Sequence, residues 1–208
     1  MEFANRNKES DGSDKLIGEL HLVMGPMYAG KSSHLIKKYK ELAENEKSRE
    51  EGVLVVTHSI ENRYSVDKLS SHDREEIGCS KFSDVQTIID SCNSESELAN
   101  IRHILIDESQ FFPDLMKVLT LVEENKKMVY VFGLDGDFKR NKFGSITDLI
   151  PICDTVQKLR GQCSECERPS LFSWRISNDK ITQIVVGSED KYVPLCRSCY
   201  MDKNEKVI

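Results

Sequence analysis

The sequence predicts an α/β fold with a mainly parallel sheet flanked by helices, followed by a small β-rich lobe. Three observations lead to this prediction. Short apolar segments of strand type alternate with segments of helical period over residues 16–160. A glycine-rich loop joins the first such strand to the first helix. Beyond residue 160, two cysteine pairs bracket β-rich sequence, which indicates a change of architecture.

Continuous apolar sequence predicts most strands of the sheet, because helices cover both faces of a parallel sheet. The predicted strands are Leu20–Met24, Val53–Val56, His103–Ile106, Met128–Leu134 and Thr155–Leu159. In the C-terminal lobe, the sequence predicts a hairpin from Phe172–Ile176 and Ile181–Val186.

Three helices are predicted between the strands of the sheet. The first follows the glycine-rich loop, and its apolar residues recur at helical spacing: Leu35, Ile36, Tyr39, Leu42 and Ala43. The second covers Val85–Cys92. The third begins at Asp114, whose carboxylate is expected to cap its N-terminus. Its inward-facing residues are expected to be Leu115, Val118, Leu119 and Val122.

The composition is that of a globular protein, with 38% apolar and 31% charged residues. The sequence has no apolar run near the ~20 residues that a membrane helix needs, so we expect no membrane partner. Residues 1–15 lack the apolar core of a secretory signal, which predicts a flexible tail and a cytosolic location. The net charge of −6 argues against a dedicated nucleic-acid-binding protein, because that role requires clustered basic residues.

The loop after the first strand matches the phosphate-binding pattern G-x-x-x-x-G-K-[ST]. Its residues are Gly25, Pro26, Met27, Tyr28, Ala29, Gly30, Lys31 and Ser32. Backbone N–H groups of such a loop surround phosphate oxygens, and the following helix adds its positive dipole. Lys31 is expected to reach the β- and γ-phosphates of ATP, and Ser32 to bind Mg²⁺. The fold is therefore predicted to be of the P-loop NTPase type.

An acidic pair follows the strand His103–Ile106 at the edge of the sheet where ligands bind in open α/β folds. Asp107 is expected to hold the Mg²⁺ that accompanies ATP. Glu108 lies one residue further along the chain and can face an acceptor molecule instead. An alcohol acceptor needs a general base, because it is a poor nucleophile until its proton is removed.

Four of the seven cysteines form two C-x-x-C pairs near the C-terminus. Cys163, Cys166, Cys196 and Cys199 match a closed tetrahedral Zn²⁺ site, which is structural because no coordination position is open. The alternative is a pair of incidental motifs or a redox dithiol, although redox chemistry needs only one pair. The predicted division of the chain is a tail (1–15), a P-loop α/β domain (16–160), a zinc-binding lobe (161–200) and a C-terminal tail (201–208).

From about Gly18 to Tyr200, the chain resembles the type II thymidine kinases, the cytosolic group found in animals, bacteria and large DNA viruses. The shared motifs are GPMYAGKSS, ENRYS at Glu61–Ser65, SSHDR at Ser70–Arg74, IDESQFFPD at Ile106–Asp114, GLDGDFKRNKFG at Gly133–Gly144, CSEC and GSEDKYVPLCRSCY. Several motifs in one order are far more specific than a phosphate loop alone.

The resemblance implies catalytic and ATP-binding roles. Glu108 resembles the catalytic base, and Arg63 the positive charge near the transferring phosphoryl group, where it acts with Lys31. The implied ATP site comprises the phosphate loop together with Glu61, Asn62, Arg63, Asp107, Glu108, Ser109 and Gln110. Two residues depart from the family pattern: Thr57 replaces a lysine found in many relatives, and Ser109 replaces a small Gly or Ala. The first puts some local charge support in doubt.

The resemblance also implies a nucleoside site. Phe111 and Phe138 resemble its aromatic contacts, and Met27 and Leu134 its slot for the thymine methyl group. The family closes a lasso loop over the base with main-chain groups, here Gln183, Ile184, Val185, Val186 and Gly187. Ser173 and Tyr192 resemble its side-chain partners.

The implied function is transfer of the γ-phosphate of ATP to the 5′-hydroxyl of thymidine, which makes thymidine monophosphate for nucleotide salvage. The resemblance further implies a homotetramer, a structural zinc and Mg²⁺ with ATP. We also expect feedback inhibition by thymidine triphosphate. Two alternatives are a helicase- or motor-type ATPase, because Asp-Glu-x-Gln occurs there too, and a zinc-ribbon module that binds nucleic acid. The first alternative would need a second motor domain or a basic track, and the sequence shows neither. The acidic net charge and the intact phosphate loop oppose the second alternative.

Overall fold

The structure is a computed structural model that describes residues 17–46, 52–60, 68–70, 75–94, 97–177, 182–183 and 191–205. The strands are β1 (Glu19–Met24), β2 (Gly52–His58), β3 (Lys68–Ser70), β4 (Glu76–Gly78), β5 (Ser80–Phe82), β6 (Ile101–Ile106), β7 (Met128–Gly133), β8 (Thr155–Lys158), β9 (Phe172–Arg175) and β10 (Tyr192–Leu195). The α-helices are α1 (Lys31–Glu46), α2 (Val85–Asn93) and α3 (Arg197–Glu205).

Six strands form one sheet in the order β5-β2-β6-β7-β1-β8, and every pairing in it is parallel. The predicted α/β class is therefore confirmed. All six strands end at the same edge, which brings together the loops that follow β1, β6 and β7. Within the described residues, no helix combines the length and apolar character needed to cross a membrane.

The sheet has an apolar layer on each face, which explains why its strands are apolar throughout. Alternate residues of β1 enter different layers. Leu20 and Leu22 pack in the cluster that contains α2, whereas Val23 packs in the cluster that contains α1. The predicted inward faces of both helices are correct: Leu35 and Ile36 of α1 are fully buried, and α2 buries Val85, Ile88, Ile89 and Cys92.

The helix predicted from Asp114 is irregular, and the predicted capping role of Asp114 is wrong. A 3₁₀ turn over Leu115–Lys117 leads to a π-helical segment over Thr120–Glu124. The Asp114 carboxylate makes no capping bond to its own helix. It accepts hydrogen bonds from the backbone N–H groups of Val85 (2.7 Å) and Gln86 (3.1 Å), at the start of α2. A free carboxylate binds whichever unsatisfied helix N-terminus lies nearest in space.

In the C-terminal lobe, β9 pairs with β10 in antiparallel register. The predicted partner strand Ile181–Val186 lies mostly outside the described residues, and its described part, Thr182 and Gln183, is not in a strand. The lobe has its own small apolar cluster around Leu195 and Tyr200.

Candidate functional site

The loop between β1 and α1 has the backbone expected of a phosphate-binding loop. Gly30 adopts a left-handed conformation with φ of 79°, which favours glycine. Tyr28 is also left-handed, with φ of 62°, an uncommon conformation that often marks a functional loop. The loop ends at the N-terminus of α1, so the unpaired N–H groups and the dipole of the helix face this edge of the sheet.

The side chain of Lys31 extends back across the phosphate loop to its first two residues. Its Nζ donates hydrogen bonds to the carbonyl oxygens of Gly25 (3.1 Å) and Pro26 (2.8 Å). The ammonium is thereby held over the loop, from where rotation about its flexible side chain can bring it to a phosphate oxygen.

Ser32 and Asp107 meet although 75 residues separate them in sequence, and the Ser32 hydroxyl lies 3.4 Å from the Asp107 carboxylate. Asp107 is only 3% exposed. Hydroxyl and carboxylate oxygens are ligands that Mg²⁺ prefers beside the phosphates of a nucleotide. The pair is therefore suited to hold Mg²⁺, as the sequence predicts.

Glu108 directly follows Asp107 in a left-handed conformation, with φ of 50° and ψ of 38°. Its carboxylate accepts a hydrogen bond of 2.5 Å from the side-chain amide of Gln110. The carbonyl oxygen of the same amide accepts a bond of 3.0 Å from the backbone N–H of Leu134. Gln110 thus links the predicted base to a predicted wall of the nucleoside slot.

The packing beneath this acidic pair requires a glycine. A Cβ on Gly133 would clash with the Ser109 hydroxyl. Ser109 is completely buried. The serine that departs from the family pattern is therefore accommodated by the absence of a side chain at residue 133.

The predicted nucleoside aromatics lie in two packed groups. Phe111 makes an edge-to-face contact with Phe143 at 5.6 Å and lies 6.0 Å from His58. Phe138 and Tyr192 are each 7% exposed. The guanidinium of Arg175 makes cation–π contacts with both rings, at 3.8 Å from the centre of Phe138 and 5.2 Å from that of Tyr192. The structure therefore brings Phe138 and Tyr192 together through a residue that sequence reasoning missed.

The C-terminal lobe contacts the phosphate loop directly. The Ser173 hydroxyl accepts a hydrogen bond of 2.9 Å from the backbone N–H of Met27. Gly161 lies against the loop so closely that a Cβ would clash with the carbonyl oxygen of Tyr28. One serine and one glycine thus join the two parts of the predicted site.

Seven predicted site residues lie outside the described part of the chain: Glu61, Asn62, Arg63, Ile184, Val185, Val186 and Gly187. Gln183 is described, and its side chain donates a hydrogen bond of 3.0 Å to Asp137.

The four predicted cysteines form one cluster, with all four Sγ atoms within 4.8 Å of one another. Cys166 Sγ lies 3.6 Å from that of Cys196 and 3.5 Å from that of Cys199. Zn–S bonds of about 2.3 Å in a tetrahedron place sulfurs about 3.8 Å apart, so the cluster is compatible with structural zinc. A hydrogen bond from Arg168 lowers the pKa of the Cys166 thiol to about 6, which favours the thiolate that binds metal.

At the predicted nucleoside site, Arg175 and Asp137 are two buried charged residues that the sequence predictions lacked. Arg175 had a usable signal: it lies two residues after Ser173 in a strand, so both side chains are on the same face. Asp137 had no such signal, because acidic residues in a glycine-containing loop are normally solvated.

Comparison with known proteins agrees with this geometry. Residues 18–200 match the sequence model described as thymidine kinase. The chain is 36% identical to a thymidine kinase of Oryza sativa subsp. japonica over 186 residues, which cover 89% of this chain and 67% of the rice protein. It is 32% identical to the cytosolic thymidine kinase of Homo sapiens over 192 residues, 91% and 76% of the two chains. For the thymidine kinase of Yaba monkey tumor virus, the identity is 35% and the coverage 90% and 97%.

The match extends over most of the chain and includes the phosphate loop, the acidic pair and all four cysteines. The family predicted from the sequence motifs is confirmed, and the chain belongs to the thymidine kinase family.

Proposed function

We propose that this protein is an ATP-dependent nucleoside kinase that transfers the γ-phosphate of ATP to the 5′-hydroxyl of thymidine and yields thymidine monophosphate for nucleotide salvage. The observation that carries the proposal is the convergence of the phosphate loop, Asp107 and Glu108 at one edge of the sheet, in a chain of the thymidine kinase family. That combination provides a site for ATP beside a carboxylate that can serve an alcohol acceptor.

In the proposed reaction, the Glu108 carboxylate orients the 5′-hydroxyl and accepts its proton as the oxygen attacks the γ-phosphorus. The bond from that phosphorus to the β–γ bridging oxygen breaks, and ADP leaves. The amide of Gln110 holds that carboxylate in place. Lys31, together with Arg63, stabilises the negative charge of the transferring group. Ser32 and Asp107 would hold the Mg²⁺ that accompanies ATP, and this ion would neutralise phosphate charge.

The nucleoside site is proposed to comprise Met27, Phe111, Leu134, Phe138, Ser173 and Tyr192, with main-chain groups of residues 183–187. Met27 belongs to the phosphate loop that follows β1. Leu134 directly follows β7, which pairs with β1 in the sheet. This proximity supports a nucleoside whose 5′ end points towards the ATP phosphates.

We further propose that the four cysteines hold one structural zinc ion, which the distances between their sulfur atoms support. Thymidine triphosphate is proposed as a feedback inhibitor, and the protein is proposed to be a cytosolic homotetramer. Several relatives are named cytosolic thymidine kinases, which supports the proposed location. Nucleic acid and membranes are not among the proposed partners.

The test is incubation of the purified protein with γ-labelled ATP, Mg²⁺ and a panel of four deoxynucleosides. We expect labelled monophosphate with thymidine and little or none with deoxyadenosine or deoxyguanosine. Single-stranded DNA is added in parallel without nucleosides. ATP hydrolysis that requires DNA, without a labelled nucleotide product, would identify the protein as a motor-type ATPase and overturn the proposal.

A further inference from the structure

Arg175 is the largest fully buried side chain in the described part of the protein, with 1% of its surface exposed. It is the last residue of β9. A buried guanidinium is costly unless hydrogen bonds and charge interactions compensate its lost hydration. The contacts that compensate the burial of Arg175 therefore indicate its role.

Its hydrogen bonds connect two separate segments of the lobe. Nε and Nη2 donate to the hydroxyl of Tyr192, at 3.0 Å and 2.6 Å. Nη1 donates to the carbonyl oxygen of Thr182, and Nη2 donates to that of Gln183 at 2.8 Å. The guanidinium thus links the start of β10 to residues 182–183.

The same guanidinium also contacts the α/β part of the chain. Its central carbon lies 3.8 Å from the centre of the Phe138 ring, a close cation–π contact. The side chain of Gln183 adds a hydrogen bond of 3.0 Å to the buried carboxylate of Asp137. That carboxylate in turn accepts bonds from the backbone N–H groups of Lys139 and Asn141, which shape the turn that carries Phe138.

We propose that Arg175 is a positioning residue of the nucleoside site, which holds Phe138, Tyr192 and the backbone at Gln183 in one fixed arrangement. The inference rests on the proposed function, because these three residues are among those proposed to contact the nucleoside. Arg175 itself is covered by them. It acts on the substrate through its neighbours, by preorganising the contacts that thymidine meets.

Lysine cannot replace arginine in this role. An ammonium is a single point charge without a planar face, whereas the guanidinium has five N–H donors in a rigid fork and stacks on an aromatic ring. Arg175→Lys retains the charge but leaves some of the three acceptor oxygens without their donor. The contacts of Arg175 described above lie on Phe138, Tyr192 and residues 182–183, so we expect Arg175→Lys to disturb these residues more than the phosphate loop.

The experiment compares steady-state kinetics of the wild-type protein, Arg175→Lys and the control Arg140→Lys. Arg140 is an exposed arginine that also contacts aromatic rings of the lobe. Its guanidinium carbon lies 4.8 Å from the centre of the Tyr200 ring and 5.7 Å from that of Phe172. We expect Arg175→Lys to raise the KM for thymidine about 10-fold or more and to change the KM for ATP less than about twofold. The control should change neither KM.

Tyr192→Phe is the second variant, which keeps the ring and removes only the hydroxyl that accepts from Arg175. We expect Tyr192→Phe to raise the KM for thymidine as well. This variant provides the test of the inference if Arg175→Lys does not fold. Thermal unfolding and bound zinc are measured for every variant, because a merely structural role would lower the folded fraction and therefore kcat without altering the KM for thymidine alone.

Two failures are distinguishable. A wild-type protein that does not phosphorylate thymidine would overturn the proposed function and the nucleoside site with it. An active wild-type protein, with an unchanged KM for thymidine in folded Arg175→Lys and in Tyr192→Phe, would overturn the role of Arg175 and leave the proposed function intact.

Discussion

At the scale of single residues, the hydrogen bond between Glu108 and Gln110 determines which way the proposed base points. The backbone of Glu108 is in a left-handed conformation. The side-chain amide of Gln110, which donates to the Glu108 carboxylate, belongs to a residue that is only 4% exposed and accepts a hydrogen bond from the backbone N–H of Leu134. A base held by a buried partner loses little orientation before reaction. This arrangement favours catalysis by a fixed carboxylate over a general electrostatic role.

The first prediction concerns Glu108→Gln, which should keep ATP binding and lower kcat about 10²–10⁴-fold. The amide keeps the shape of the side chain but cannot accept the proton of the 5′-hydroxyl. Single-turnover transfer and fluorescent-nucleotide binding measure the two effects separately. Glu76→Gln, at an exposed residue of β4, is the matched control. A kcat close to the wild-type value would move the base to another residue.

The second prediction concerns His58, whose pKa is lowered from 6.5 chiefly by burial. Its Nδ1 accepts a hydrogen bond from the N–H of Ile60, while Nε2 contacts the carbonyl oxygen of Ser83. This pattern fits the neutral ring with a proton on Nε2, and protonation of Nδ1 would break the bond to Ile60. Because the unfolded chain protonates more readily, stability should fall as the pH drops below about 6.5 towards the lowered pKa of the folded state.

The measurement is Tm at about pH 7.5 and about pH 5.5 for the wild-type protein and for His58→Gln. The loss of Tm on acidification should be smaller in the variant, because glutamine does not titrate. Equal losses in the two proteins would assign the acid sensitivity to other groups, such as His34, whose pKa burial also lowers.

At the scale of elements, the cysteine cluster lies in a lobe whose apolar core is small. The buried residues of that core are Cys163, Leu195, Cys196 and Tyr200, so two of the four are proposed metal ligands. The two-stranded sheet β9–β10 is marginal on its own. We therefore expect bound zinc to supply folding energy that this small apolar cluster lacks.

The third prediction is that the protein contains about one Zn²⁺ per chain and that Cys163→Ser or Cys196→Ser disrupts the lobe. Trp174, the single tryptophan, packs edge-to-face on Tyr200 at 5.2 Å and serves as a local probe. Its emission should shift to longer wavelength in these variants and after chelation. Cys153→Ser, outside the cluster, is the control. Freshly prepared protein without zinc by metal analysis would refute this prediction.

At the scale of the whole molecule, the lobe and the α/β part both contribute residues to the proposed site. Ser173 binds the backbone of Met27 in the phosphate loop, and Arg175 covers Phe138. Met27 is thus positioned to belong to both the ATP site and the proposed thymine slot. A ligand that carries both a thymine base and a triphosphate can span these two regions.

The fourth prediction follows from this proximity: thymidine triphosphate should inhibit more strongly than deoxycytidine triphosphate and bind more tightly than thymidine. Anchoring the base makes binding of the phosphates effectively intramolecular. Initial rates at several thymidine and ATP concentrations measure the effect. Equal inhibition by both triphosphates would mean that the base is not recognised, and inhibition that excess thymidine cannot relieve would argue against a shared site.

The sequence by itself determined the features that depend on local pattern. Strand and helix periods predicted β1, β2, β6, β7 and β8 and the buried faces of α1 and α2, because burial on a regular element repeats with its period. The phosphate loop, the acidic pair and the cysteine pairs were predicted for a similar reason: each is a short motif whose spacing follows from its chemistry.

Only the tertiary structure decided which distant groups pair. Asp114 caps α2 instead of its own helix, β9 pairs with β10, and Ser173 binds Met27 across 146 residues. The positioning role proposed for Arg175 rests on its contacts with residues 138, 182, 183 and 192, which only the tertiary structure brings together. A polar group binds the nearest partner in space, and the sequence pattern around it carries no information about a partner that the fold brings from elsewhere.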